Sequence, residues 1–67
     1  MDNQDSPLLQ KHLNEHQVSE ITGLSVKTLQ RYRHDMCGPR YLKLGRRIVY
    51  PEWDLAIWLK KNRVETH

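Results

Sequence analysis

The chain of 67 residues has a single cysteine, Cys37, so no internal disulfide can staple it. A free thiol fits a reducing compartment, and the expected location is the cytoplasm. No apolar run is long enough to cross a bilayer, which argues against a membrane-spanning role. The opening MDNQDSPLLQKH lacks a basic segment followed by an apolar one, so it does not read as a signal peptide. There is no glycine-rich phosphate loop, no nucleophile beside a plausible base and no carboxylate pair on one face. The chain is therefore not expected to be an enzyme, and no cofactor or small-molecule substrate is expected. Repeats and low-complexity tracts are also missing. What remains is one small domain, which on folding buries only about 60% of the surface its unfolded chain exposes. Good caps and good packing must then carry much of its stability.

Charge is present and unevenly spread. The net charge is +3. Between Leu24 and Tyr50, seven basic residues (Lys27, Arg31, Arg33, Arg40, Lys43, Arg46 and Arg47) face one acidic residue, Asp35. The remainder is acidic in balance. A basic middle between more acidic ends suggests a polyanionic partner, with nucleic acid foremost, although a solvated basic face also serves solubility.

The polar residues 1–12, interrupted by Ser6-Pro7, read as a flexible arm. Order is expected from Leu13. Asn14 and Gln17 have the spacing of a capping box, and Leu13 and Val18 that of a hydrophobic staple. A short helix follows, with Val18 and Ile21 on its inner face, and Gly23 ends it. The same grammar then repeats. Ser25 caps a second helix, Leu24 and Leu29 are its staple, and Leu29, Tyr32 and Met36 form its inner stripe. This helix is expected to span residues 25–37 and to stop at Gly38-Pro39. Two short helices joined by Thr22-Gly23-Leu24-Ser25 outline a helix-turn-helix. The outer face of the second helix combines Lys, Thr, Arg and His, which donate to phosphates and base edges.

In RYLKLGRRIVY, Leu42, Leu44, Ile48 and Tyr50 alternate around Gly45, as in two short strands and a turn. A two-residue Gly45-Arg46 loop would pair Leu44 with Arg47. A three-residue loop would pair Leu44 with Ile48 and Leu42 with Tyr50. The second register keeps all four apolar side chains on one face and is the one favoured here. Either places Arg46 and Arg47 near the tip of a hairpin. A lone hairpin is unstable in water, so it must lie on the helices as a wing, its arginines reaching backbone phosphate or a minor groove. Pro51 suits the first position of a third helix, with Glu52 and Asp54 at its positive end. Leu55, Trp58 and Leu59 are its expected inner face. Lys60, Lys61 and Arg63 complement the dipole at its far end. Trp58, with Tyr32, Leu29 and Val18, is expected to form most of the core, and Trp53 to be partly exposed.

With these residues in view, the chain resembles the small excisionase-type winged helix-turn-helix family, which includes AlpA-like phage regulators and is related to the MerR DNA-binding fold. The motifs are LNEHQVSEITGLSVKTLQRYR, GPRYLKLGRRIVY and WDLAIWL, from Leu13 to Leu59, about seventy per cent of the chain. The family often has tryptophan where Tyr32 stands and a basic residue where His34 stands. The resemblance implies a mostly α fold with a two-stranded β wing. It also implies a DNA-binding module without catalysis, either an excisionase (a recombination directionality factor) or a transcriptional regulator of a phage or mobile element. Its partners would be double-stranded DNA, an integrase or recombinase or RNA polymerase, and further copies side by side on the DNA. Carried over by position, Lys27, Thr28 and Arg31 would lie in the major groove and Arg46 and Arg47 at the wing.

The expected DNA-binding residues are thus Ser25, Lys27, Thr28, Arg31, His34, Lys43, Arg46 and Arg47. Arg31 is the candidate for a bidentate contact to guanine, against a plain ion pair with Asp35 four residues on. Arg33 lies toward the inner side, where its stem would cover core. His12, His16, His34 and Cys37 invite a zinc site, but no four of them share the tight spacing structural zinc needs, and no metal is expected. The expected limits are an arm at 1–12, a domain at 13–63 and a tail at 64–67. The competing function is a protein-interaction adaptor on the same fold, docking through Trp53, the thiol and the acidic arm.

Overall fold

The computed structural model describes residues 11–64. Along this stretch run β1 (His12–Leu13), α1 (Glu15–Thr22), α2 (Val26–His34), β2 (Leu42–Leu44), β3 (Arg47–Pro51) and α3 (Glu52–Lys61). The three strands form one antiparallel sheet in the order β1-β3-β2. Three helices with this small sheet make a winged helix-turn-helix.

Local chemistry sets the first two helices. The Asn14 side chain accepts from the Gln17 N–H (2.8 Å), and the Gln17 side chain accepts from the Asn14 N–H (2.9 Å). That closes the capping box and satisfies two backbone donors at a helix start. Gly23, at φ 79°, ends α1 in the left-handed conformation that glycine adopts without steric cost. Thr22 Oγ1 accepts from the Leu24 N–H, and Ser25 Oγ accepts from the Thr28 N–H, so the turn and the next cap follow within three residues.

The end of α2 differs from the sequence expectation. The helix stops at His34 rather than reaching residue 37. The N–H of Cys37 bonds to the carbonyl of Tyr32 and that of Met36 to Arg33, the hydrogen-bond pair of a Schellman motif. Met36 occupies the left-handed position at φ 58° and is 92% exposed, so it is not part of the inner stripe. Gly38 serves another purpose: a Cβ there would meet Cδ2 of Tyr32 at 2.8 Å. The left-handed capping position therefore falls on Met36, two residues past the helix, and Gly38 lets the chain pass close beneath the Tyr32 ring.

The hairpin register also departs from the favoured one. Leu42 pairs with Val49, Lys43 with Ile48 and Leu44 with Arg47, which leaves the two-residue loop Gly45-Arg46. Gly45 has φ 65°, the positive value that a type II′ turn asks of its first central residue. Because side chains alternate along a strand, Tyr50 and Ile48 face the core while Leu42 and Leu44 share the other face with Val49. Leu42 and Leu44 are exposed, although Val49 is buried. The apolar residues of the two strands therefore do not share one face, because the core needs only the β3 residues on its side.

β1 was not among the sequence expectations, which gave residue 12 to the arm. His12 pairs with Pro51 and Leu13 with Tyr50. The Lys11 carbonyl then accepts from the Glu52 N–H at 2.9 Å. This bond occupies a donor at the start of α3, whose N-cap Pro51 makes no side-chain cap. Residues 1–10 of the expected arm and 65–67 of the expected tail lie outside the described residues.

The core is Leu13, Val18, Leu29, Tyr50 and Leu55, with Leu24, Ile48 and Trp58 packed against it. Tyr50, at 1% exposure, is its largest fully buried side chain. Trp58 is half-buried and tilts against Tyr32 with ring centroids 6.4 Å apart, at the edge of the core rather than its centre. Ile21 and Leu59, both expected inside, are exposed, whereas Trp53 is 64% exposed, as its position suggested. On so small a core, each buried leucine-sized side chain contributes about 2 kcal/mol.

Candidate nucleic-acid interface

Ser25, Lys27, Thr28 and Arg31 come together. They line one shallow depression of about 280 Å³ on the outer side of α2. The helix explains the grouping: Lys27 and Arg31 are four apart and Thr28 lies one turn before Arg31, so all three share a face. Ser25, the cap, adds its hydroxyl, which also meets Thr28 Oγ1 at 2.9 Å. Lys27 and Arg31 are exposed and make no ion pair among the described residues. The alternative pairing of Arg31 with Asp35 does not form; the Asp35 carboxylate lies 3.3 Å from Nδ1 of His34 instead. His34 continues the Lys27–Arg31 line three residues on and is exposed at the helix end.

The wing cations are exposed as well, but they do not share one face. Lys43 stands opposite Ile48 and Arg47 opposite Leu44, on alternate sides of the hairpin, with Arg46 in the turn between them. Of the eight expected residues, four thus form a single concave patch, one flanks it, and three surround the hairpin tip.

Arg33 belongs to none of these groups. Its Nη1 donates to the Tyr50 hydroxyl at 2.6 Å and its Nη2 to Glu15 Oε1 at 3.0 Å. The guanidinium carbon lies 5.7 Å from the centre of the Tyr41 ring. Burial works against its charge, but the hydrogen bonds to Tyr50 and Glu15 and the Glu15 carboxylate outweigh that, and its pKa is raised. The sequence reading gave Arg33 only a covering stem. The signal for more was its position four residues after Leu29, on the buried side of α2.

The sequence profile of a helix-turn-helix domain family matches residues 13–63. The chain belongs to that family. The family is one of small helix-turn-helix proteins that includes excisionase-like DNA-binding proteins, typically without enzymatic activity. Membership implies sequence-specific DNA binding for this helix-turn-helix domain. No significant match to a curated protein or to a solved structure was found. Among the described residues of the domain, no three His, Cys, Asp or Glu side chains converge as metal ligands would, and no helix is long and apolar enough to cross a membrane.

Proposed function

We propose that the domain lays α2 in the major groove of duplex DNA and sets the hairpin tip on backbone or minor groove. In this reading it acts as an excisionase or an AlpA-like transcriptional regulator of a phage or mobile element. The observation that carries the reading is the concave patch of Ser25, Lys27, Thr28 and Arg31, whose two cations make no ion pair among the described residues, on the face of α2 turned from the core. Arg31, at its centre, is the residue for a guanine edge; Ser25, Lys27 and Thr28 at the helix start suit a phosphate, which the helix dipole also favours. Lys43, Arg46 and Arg47 would meet phosphates around the tip, and His34 would extend the α2 contact.

A single module of this size touches few base pairs, so affinity calls for copies side by side or for a protein partner on the same DNA, such as an integrase or RNA polymerase. Selection of bound duplexes from a random pool at moderate salt tests the proposal. Direct repeats spaced about one helical turn apart would support the excisionase role, and an inverted repeat a regulator binding as a symmetric dimer. Failure to retain any DNA would overturn both.

One observation favours a protein contact in addition. The outward side of α3 carries Trp53, Ala56 and Ile57 beside Lys60 around a shallow, mainly apolar depression. An adaptor that used this face alone would not bind random duplex DNA at low salt.

A further inference from the structure

We infer that Arg33 is a positioning residue that fixes the recognition helix relative to the wing. The inference rests on the DNA-binding reading and adds to it the device by which two separate contact surfaces are held in register.

Close backbone packing joins α2 to α1, whereas β3 is packed by β1, β2, α1 and α3. The helix that carries the groove-facing patch and the strand that carries the wing therefore meet mainly through side chains. Leu29 and Tyr50 share the core, but apolar contact is non-directional and permits small rotations. Arg33 supplies direction. One planar fork donates to Tyr50 of β3 and to Glu15 of α1, and its central carbon lies 5.7 Å from the centre of the ring of Tyr41, just before β2. The Tyr41 and Tyr50 rings are themselves tilted together at 6.1 Å. A guanidinium held by two directional hydrogen bonds to different elements, with an aromatic ring beside it, resists rotation far more than apolar contact does. Turning α2 about its axis or sliding it along β3 would break at least one of these contacts.

This geometry also removes Arg33 from the set of DNA contacts. Its side chain is 15% exposed, and the fork points inward. Of the arginines of α2, only Arg31 is turned out for DNA.

Tyr50→Phe is the sharpest test, because it removes the hydroxyl that Arg33 grips and keeps the buried ring. Arg33→Lys keeps the charge and loses the fork. The duplex is the site selected above, with a random duplex as control, assayed at a temperature where circular dichroism shows each variant folded. Both variants should bind the selected site about tenfold more weakly, with affinity for random duplex changed by less than about twofold and an unaltered salt slope. Residual dipolar couplings on the free proteins should show a changed angle between α2 and the hairpin. A lower melting temperature with unchanged site affinity and unchanged angle would overturn the inference and leave Arg33 as a stabilising residue only. Full site discrimination in Arg33→Lys would overturn it too, since charge would then suffice. A salt slope lowered by about one unit in Arg33→Gln, with Tyr50→Phe behaving like the wild type, would make Arg33 a phosphate contact instead. If the wild type binds no DNA, the function proposed above fails, and the dipolar couplings alone still decide whether Arg33 sets the angle.

Discussion

Arg31 and Arg33 lie two residues apart on one helix, and their surroundings are opposite. Arg31 stands in solvent within a patch of like-charged and hydroxyl side chains, with no ion pair among the described residues. Arg33 is turned inward, with a carboxylate, a buried phenol and an aromatic face around it. Two positions along an α-helix rotate a side chain by roughly 200°, so the same residue type is delivered to opposite sides. A count of basic residues therefore overstates the charge offered to a polyanion. One of the seven cations between Leu24 and Tyr50 is committed to holding the fold.

Charge reversal at the exposed arginine has the largest expected effect. Arg31→Glu should lower affinity for a specific duplex at least about a hundredfold, by losing a base contact and adding repulsion, while the melting temperature stays near the wild type. Retained sequence preference in that variant, measured by competition with random duplex, would remove Arg31 from the groove.

The inward arginine responds in the other quantity. Arg33→Met should cost about 2 to 3 kcal/mol of stability, because the Tyr50 hydroxyl and the Glu15 carboxylate lose their shared donor. In a domain this small that is a fall of roughly 10 °C or more in melting temperature, readable by circular dichroism. The raised pKa of Arg33 fixes the pH dependence of the arginine's part. That part is fully present below the ordinary arginine value and is lost only as pH rises through the still higher folded value, so mild alkali should leave it intact.

A smaller effect separates the wing from both arginines of α2. Arg46→Ala with Arg47→Ala should weaken binding to all sequences about equally and reduce the salt slope by roughly two units, without a change in melting temperature. A loss confined to one sequence would point to base reading by the tip. The smallest effect is a gain: Met36→Gly relieves a non-glycine residue in the left-handed conformation and should stabilise the protein by about 1 kcal/mol in a denaturant titration, with DNA affinity unchanged. Loss of specific affinity in that variant would mean that Met36, at the exposed end of α2, touches the duplex.

Where the sequence was readable, the chemistry was local. The Asn14–Gln17 box and the Ser25 cap need residues three apart, and Gly23 only its own left-handed conformation. The patch of Ser25, Lys27, Thr28 and Arg31 was readable for the same reason, since helical period alone groups those side chains. The hairpin was half readable. Gly45 marked the turn, but two registers one residue apart satisfied the alternation within each strand; both turn Ile48 and Tyr50 the same way, and they differ in the face given to Leu42 and Leu44, which the fold leaves exposed. The C-terminal end of α2 was misplaced because glycine is the usual left-handed residue there, and the Schellman position fell on Met36 instead.

By itself, then, the sequence determined a small basic helix-turn-helix with a hairpin wing and the outer face of its second helix. Those features depend on propensities, caps and periodicity within a few residues. Tertiary structure alone decided the third strand, the wing register and the use of Arg33. Arg33 reaches Tyr50 across 17 positions and Glu15 across 18. Whether a cation points to solvent or closes such a gap depends on how distant segments pack, and no local rule of spacing carries that information.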